Sequence, residues 1–307
     1  MLTVVLHNGI CNRLLPLIST IRLARKSNRK TNIVWTYTPV RSCIAYHGDL
    51  CKYEDLFIKS NDILMELSSD INNKIYEFRY WENKDHVIDI SGNDNIFVNY
   101  ALYTIISTDD DQSTIFKNFK SIIDKPQEII KDDIAKEFRD ILKNDIVPVN
   151  ELQKEIDHLY KSFYKNMVGI HIRKSDGGFA NYNWKEMTKI LIKQSKEWCK
   201  EDNNNGIFLA TDDMDIYIEF ASVLGNKMIF YNPPEILCNT KSTSGNKFSN
   251  DKYNALTAVV ELNLLGKCNK YIIGTADSTF SVCGMLLSED ETRCFLINDI
   301  NNIPKFN

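Results

Sequence analysis

The chain has 307 residues, 43% of them hydrophobic and 25% charged, with a formal net charge of −4. That balance belongs to a globular protein, and the length accommodates two domains. The mild acidity gives no reason to expect nucleic acid or an anionic membrane surface as a partner, and no stretch reaches the roughly 18 consecutive apolar residues of a membrane span.

Leu2–Leu6 reads as a first strand, and the chain turns polar at His7-Asn8-Gly9, unlike a secretory signal. The loop His7–Arg13 follows, and then Leu14, Leu17, Ile18, Ile21 and Ala24 recur at helical spacing. Pro16 suits a first helical turn, where its missing N–H costs nothing. Ile33-Val34-Trp35 is a second strand, completing a βαβ-like opening. Short β-like runs come next at Ile75–Phe78, His86–Ile90 and Ile96–Val98. Asp109-Asp110-Asp111 reads as a solvated loop or helix start, and residues 114–164 as charged helix. From Met167 onward, strands and helices alternate. Strands are expected at Met167–Arg173, Ile207–Thr211, Lys227–Tyr231, Lys270–Thr275 and Arg293–Ile297. Helices are expected at Trp184–Lys200 (N-capped by Asn183), Asp215–Leu224, Asn254–Gly266 and Phe280–Leu287. This predicts a doubly wound parallel sheet. Two lobes are expected, 1–160 and 161–307, with a ligand cleft between them.

Eight cysteines are scattered: Cys11, Cys43, Cys51, Cys199, Cys238, Cys268, Cys283 and Cys294. None forms a Cys-x-x-Cys with a second such pair or with His-x-x-x-His, so no zinc site is expected. Reduced thiols and a cytoplasmic location are the expectation; a Cys43–Cys51 bridge would need an oxidising compartment.

Three places in the C-terminal half put polar groups at strand ends, where open α/β sheets bind ligands. The first is Val168–Asp176. His171 and Arg173 share one face of a strand and Ile172 takes the other, before Lys174, Ser175, Asp176 and Gly177-Gly178. The second is Ala210-Thr211-Asp212-Asp213. The third is Ile273–Ser281, preceded by a helix carrying Glu261. Each has a plainer alternative. Asp212 and Asp213 suit a helix cap, His171 a satisfied core histidine, and Glu261 the polar face of its helix.

These segments resemble the GT-B fucosyltransferase superfamily, which includes α1,2-, α1,6- and protein O-fucosyltransferases and a rhizobial chitin-oligosaccharide enzyme. His171-Ile172-Arg173-Lys174-Ser175-Asp176 is similar to that family's His-x-Arg-Arg-x-Asp strand end. Ala210–Asp213, Ala255–Cys268, Tyr271–Gly274 and Ser278-Thr279-Phe280-Ser281 agree with it. Asn8–Leu14 is similar to the family's Gly-x-Gly-Asn-[Arg/Gln] loop. The region 40–165 matches only vaguely.

The resemblance implies a GT-B-like α/β fold with two Rossmann-like lobes. It implies a GDP-fucose donor site in the C-terminal lobe, a glycan or glycoconjugate acceptor toward the N-terminal one, and inverting transfer without metal or cofactor. Gly9, Asn12, Arg13, His171, Arg173, Asp212, Asp213, Glu261, Ser278 and Thr279 are the donor-binding candidates. Arg173, which can fork two phosphate oxygens, and Asp176 are the catalytic candidates. Ser278 and Thr279 open a helix that would seat phosphate. Glu261 stands where the family has a guanine-binding aspartate. Two departures stand out: Lys174 replaces a second arginine, and Gly177–Asn181 lacks a glutamate found in some members. The general base is left to Asp176 or Glu186. Competing readings are another nucleotide-sugar donor on the same fold, a catalytically silent glycan- or nucleotide-binding module, and an Asp-x-Asp metal site at Asp213-Met214-Asp215. A dehydrogenase is excluded because no Gly-x-Gly-x-x-Gly follows a strand.

Overall fold

The computed structural model describes residues 1–6, 9–35, 51–60, 63–65, 73–78, 85–99, 104–118, 121–122, 125, 128, 132–173, 183–232, 252–276, 278–297 and 299–306. The chain forms two compact units: Met1–Val149 with Phe248–Leu256, and Asn150–Lys247 with Thr257–Asn307. The division precedes the expected boundary at 160 because the helix Asn150–Tyr160 belongs to the second unit. There the Tyr160 ring meets Phe163 edge-on, Phe163 packs tilted against Phe208, and Lys267 lies over the Tyr160 ring.

The first unit runs β1 (Leu2–Leu6), α1 (Ile10–Lys26), β2 (Thr31–Trp35), β3 (Ile63–Leu64), β4 (Asn73–Glu77), β5 (Val87–Ile88), β6 (Asn95–Asn99), β7 (Ile106–Ser107) and α2 (Asp133–Asn144). Five strands pair in the order β3-β2-β1-β6-β4, all parallel, and β5 and β7 form a separate pair. Leu2, Val4 and Leu6 are fully buried, as expected for a parallel strand covered on both faces.

Three expectations are corrected here. The helix α1 begins at Ile10, so Pro16 lies inside it rather than in its first turn. A proline there leaves the Asn12 carbonyl without its helical donor. Hydroxyls reinforce the following turn: Thr20 Oγ1 donates to the Pro16 carbonyl and Ser19 Oγ to that of Leu15. The second correction concerns the charged segment 114–164, which is not one helical run. It breaks at Pro148, which bridges to Phe57, and resumes as the next helix at Asn150.

The third concerns Asp110, which is buried rather than solvated. It takes both terminal nitrogens of Arg22 at 2.8 and 2.6 Å, Lys26 Nζ at 2.7 Å and the Ser107 N–H at 2.7 Å. Arg22 also reaches Glu137 on α2 at 2.8 Å. The arginine–aspartate core of this network is almost wholly shielded, with side chains 5% and 3% exposed.

The second unit runs α3 (Asn150–Tyr160), β8 (Asn166–Ile172), α4 (Trp184–Glu201), β9 (Asn205–Thr211), α5 (Met214–Leu224), β10 (Met228–Phe230), α6 (Lys252–Gly266, its start grouped with the first unit), β11 (Tyr271–Thr275), α7 (Thr279–Leu287) and β12 (Cys294–Ile297). The sheet order is β10-β9-β8-β11-β12, all parallel. The expected strands and helices of this half are all present. Asn183 Oδ1 accepts from Glu186 N–H, capping α4 as read from the sequence.

Strand β8 divides its labour by side-chain alternation. Val168, Ile170 and Ile172 join the core with Met187, Leu191 and Trp198 of α4 and Ile216, Phe220 and Leu224 of α5. The other face carries Gly169, against which α6 packs. A Cβ there would lie 2.8 Å from both Cys268 Sγ and Leu265 Cδ1.

Asp110 generates a stability prediction. Burial alone would raise its carboxyl pKa, but the hydrogen bonds from Arg22, Lys26 and the Ser107 N–H outweigh that and hold it well below the usual carboxylate range. A depressed folded-state pKa contributes stability above the unfolded value near ~4, lost as pH falls toward the folded value. Asp110→Ala strands the buried Arg22 charge and should cost about 3 kcal/mol or more. Urea unfolding at pH 7 and at about pH 2.5 checks both points: the deficit should be large at pH 7 and clearly smaller at about pH 2.5.

Candidate active site

In the second unit the strand order reverses between β8 and β11. Chain order proceeds β8, β9, β10 to one side and β11, β12 to the other. The C-terminal ends of β8 and β11 therefore form the switch point of the sheet, the place where open α/β sheets bind ligands. Four of the sequence candidates lie at these two strand ends: His171 on β8 and Arg173 just after it, and Ser278 and Thr279 at the start of the helix that follows β11.

His171 is 7% exposed. Its Nδ1 lies 2.8 Å from Ser281 Oγ, and its ring stacks on Phe280 with centroids 4.5 Å apart at 29°. Burial, aided by the charge of Arg173, pushes the imidazole pKa down to about 3, so it is neutral near pH 7. Arg173 follows just beyond the strand, half-buried, and its charge acts on the imidazole.

Ser278 is the N-cap residue of α7 and is fully buried, yet its side chain makes no capping bond. Its Oγ and the buried Thr275 Oγ1 at the end of β11 have no hydrogen-bond partner among the described residues. Thr279 is buried beside it. The first turn of α7 holds no acidic side chain. Two idle hydroxyls therefore flank the positive end of a helix facing an arginine-bearing strand end, a setting suited to an anion.

The acidic candidates separate. Asp213 is 2% exposed and caps α5, accepting from the N–H groups of Asp215 and Ile216 at 3.0 and 3.1 Å. Its carboxylate serves the helix, and Asp215 is an exposed first-turn residue. Among the described residues no cluster of three His, Cys, Asp or Glu side chains could hold a metal ion. Asp212 is exposed at the end of β9. Glu261 lies on α6, a helix hydrophobic nearly all round, and is half-buried. Burial and then the charge of Asp212 push its carboxyl pKa up to about 8. One turn earlier on its face, Thr257 Oγ1 is also buried without a partner.

The remaining candidates lie elsewhere. Gly9 is the N-cap of α1 in the first unit, and Asn12 is half-buried in that helix. Arg13 is fully buried, its guanidinium 4.5 Å from the Trp35 ring centroid. Trp35 is fixed in turn by its Nε1 donating to the Cys51 carbonyl and by an edge contact with Tyr53. Glu186 sits in the first turn of α4. Asp176, with Lys174 and Ser175, lies outside the described residues, as do Cys43 and Cys238. The six described cysteines are free thiols.

Sequence reasoning missed Ser281, Phe280, Thr275 and Gly274 as a working group. Each stood within a recognised segment, but only the pairing of Gly274 opposite His171 shows what they do together.

No protein-family model matches the chain, and no curated protein matches it by sequence. Solved structures do match. The fucosyltransferase NodZ from Bradyrhizobium superposes with a TM-score of 0.55 at 13% identity, covering 94% of this chain and 92% of its own. A variant of Arabidopsis thaliana FUT1 in complex with GDP gives 0.52 at 13% identity, covering 96% and 69%. POFUT1 in complex with GDP-fucose gives 0.51 at 9% identity, covering 97% and 96%. With two parallel α/β sheets and these neighbours, the chain has the fold of the GT-B fucosyltransferases.

Proposed function

We propose that the protein is an inverting, metal-independent glycosyltransferase that moves fucose from GDP-fucose to a hydroxyl of a glycan or glycoconjugate. The observation carrying this reading is the strand-order reversal between β8 and β11, with Arg173 after one strand and, after the other, a helix start whose buried Ser278 hydroxyl has no hydrogen-bond partner among the described residues; this supports a diphosphate site. Neighbouring folds bind GDP and GDP-fucose, which supports the choice of donor.

Breaking the glycosidic bond leaves negative charge on the departing diphosphate. In this reading Arg173 neutralises it with two parallel N–H contacts, and the Ser278 hydroxyl and first-turn N–H groups of α7 take the remaining oxygens. Fixed donors of this kind need no reorganisation as the charge develops, so they lower the barrier rather than merely binding the donor. Glu261 accepts from the guanine N1–H and exocyclic amine. The first unit is the acceptor side, and Asp176 or Glu186 takes the acceptor proton.

Arg173→Ala should lower turnover by about 100- to 1000-fold at saturating donor, since it removes a preorganised transition-state contact. Its melting curve should hold, because Arg173 lies outside the apolar core. Arg173→Lys should recover only part of the rate, one ammonium being unable to span two oxygens. Near-normal transfer by the alanine variant would remove the leaving-group role. Transfer by the wild type should persist in EDTA; full loss, restored by manganese or magnesium, would return the Asp-x-Asp reading.

Glu261 predicts a pH dependence. With its carboxyl pKa at about 8, the free protein holds it largely protonated at pH 7. Accepting two guanine donors requires the ionised form, so GDP binding releases a proton and strengthens as pH rises from 7 to 8.5. Titration calorimetry in buffers of different ionisation enthalpy should detect that proton. Glu261→Gln should weaken GDP and flatten the rise, because its amide sets a donor against a guanine N–H. UDP binding as tightly as GDP would overturn the guanine assignment.

A further inference from the structure

Ser281 reaches His171 across a notch in the sheet. Gly274 on β11 pairs opposite His171 on β8. A Cβ at 274 would lie 2.5 Å from both the Cβ and the Oγ of Ser281, so only glycine lets this helical residue come down onto the strand. Ser281 is fully buried there, with its Oγ 2.8 Å from His171 Nδ1. Phe280, the preceding residue, holds one ring face at 4.5 Å. The imidazole is thus fixed along one edge and across one face. The Ser281 contact is its only hydrogen bond among the described residues.

A neutral imidazole carries one N–H donor and one bare acceptor nitrogen, and the partner of one nitrogen decides the state of the other. A serine hydroxyl takes either role, so the ligand side must settle the choice. Phosphate oxygens only accept. A bare Nε2 lone pair facing them would repel, whereas an Nε2–H would donate. Arg173, just beyond the strand, is likewise a donor only.

We infer that Ser281 is a positioning residue: its hydroxyl donates to His171 Nδ1 and so holds the imidazole in its Nε2–H form, as a hydrogen-bond donor toward an anionic ligand at the end of β8. Both halves of this assignment rest on the nucleotide-diphosphate reading given above, since the phosphate oxygens decide the tautomer; the tautomer itself is measured without ligand. Ser281 touches no ligand itself and acts only through the ring.

The test is nitrogen-15 NMR of the full-length chain labelled at its five histidines, with the His171 signals identified by their loss in His171→Gln. The wild type should show a single Nε2–H pattern for His171 across pH 6–8. Ser281→Ala keeps the Cβ that fills the Gly274 notch and removes only the hydroxyl. It should convert that signal to a mixture of tautomers and weaken GDP about threefold to tenfold by calorimetry, the scale of one neutral hydrogen bond. An Nδ1–H pattern in the wild type overturns the inference, and so does an unchanged pattern in Ser281→Ala. An altered tautomer with unaltered GDP affinity overturns the role toward the ligand. Should Ser281→Ala fail to fold, the wild-type pattern alone decides the direction of the bond. Should the wild type bind no GDP, the nucleotide reading falls while the tautomer result still stands.

Discussion

Everything at the candidate site depends on two neighbouring strands that send the chain in opposite directions. β8 and β11 lie side by side while the strands that follow them add to opposite edges of the sheet, the strand-order reversal at which open α/β sheets bind ligands. A parallel sheet covered on both faces has few places where polar groups can gather without being desolvated at a loss. The strand-order reversal supplies one by topology alone. The side chains there are then selected by the sheet's alternation, odd positions of β8 toward α6 and α7 and even positions into the core with α4 and α5.

The polar groups left in that space are not at their own energetic optimum. A buried hydroxyl without a partner costs about 1–3 kcal/mol, and Thr257, Thr275 and Ser278 each carry one that has no partner among the described residues. Glu261 is pushed toward protonation by burial and by Asp212, and His171 is held neutral far below the usual histidine pKa. Each of these groups would be better satisfied in water. Such an arrangement persists only because the surrounding packing fixes it, and it is the condition under which an incoming charged ligand gains most from each contact.

The second unit was far more legible in the sequence than the first, for reasons of range. The strands β8, β9 and β11 are apolar runs ending in polar residues, and Asn183 and Asp213 cap within three residues, so both signals are local. The Arg22–Asp110 pair spans 88 residues, and nothing near Asp110 distinguishes it from its exposed neighbours. Pro16 misled because Ile10 and Cys11 begin the helical stripe inside a stretch that reads as a polar loop. At the site itself, residue types and strand ends could be read directly. The Ser281–His171 contact could not, since it follows from Gly274 lying opposite His171, a matter of strand register rather than of spacing along the chain.

The notch at Gly169 has a consequence of a different kind. It lets the Cys268 thiol sit against the back of β8, where burial holds its pKa well above the ordinary thiol value and where Leu265 closes the same space. A thiol so placed is neither a nucleophile nor reachable by a modifying reagent while α6 stays on the sheet. Its availability is therefore tied to the opening of the helix that carries Glu261, and the rate at which Cys268 becomes exposed measures how often that helix leaves the sheet.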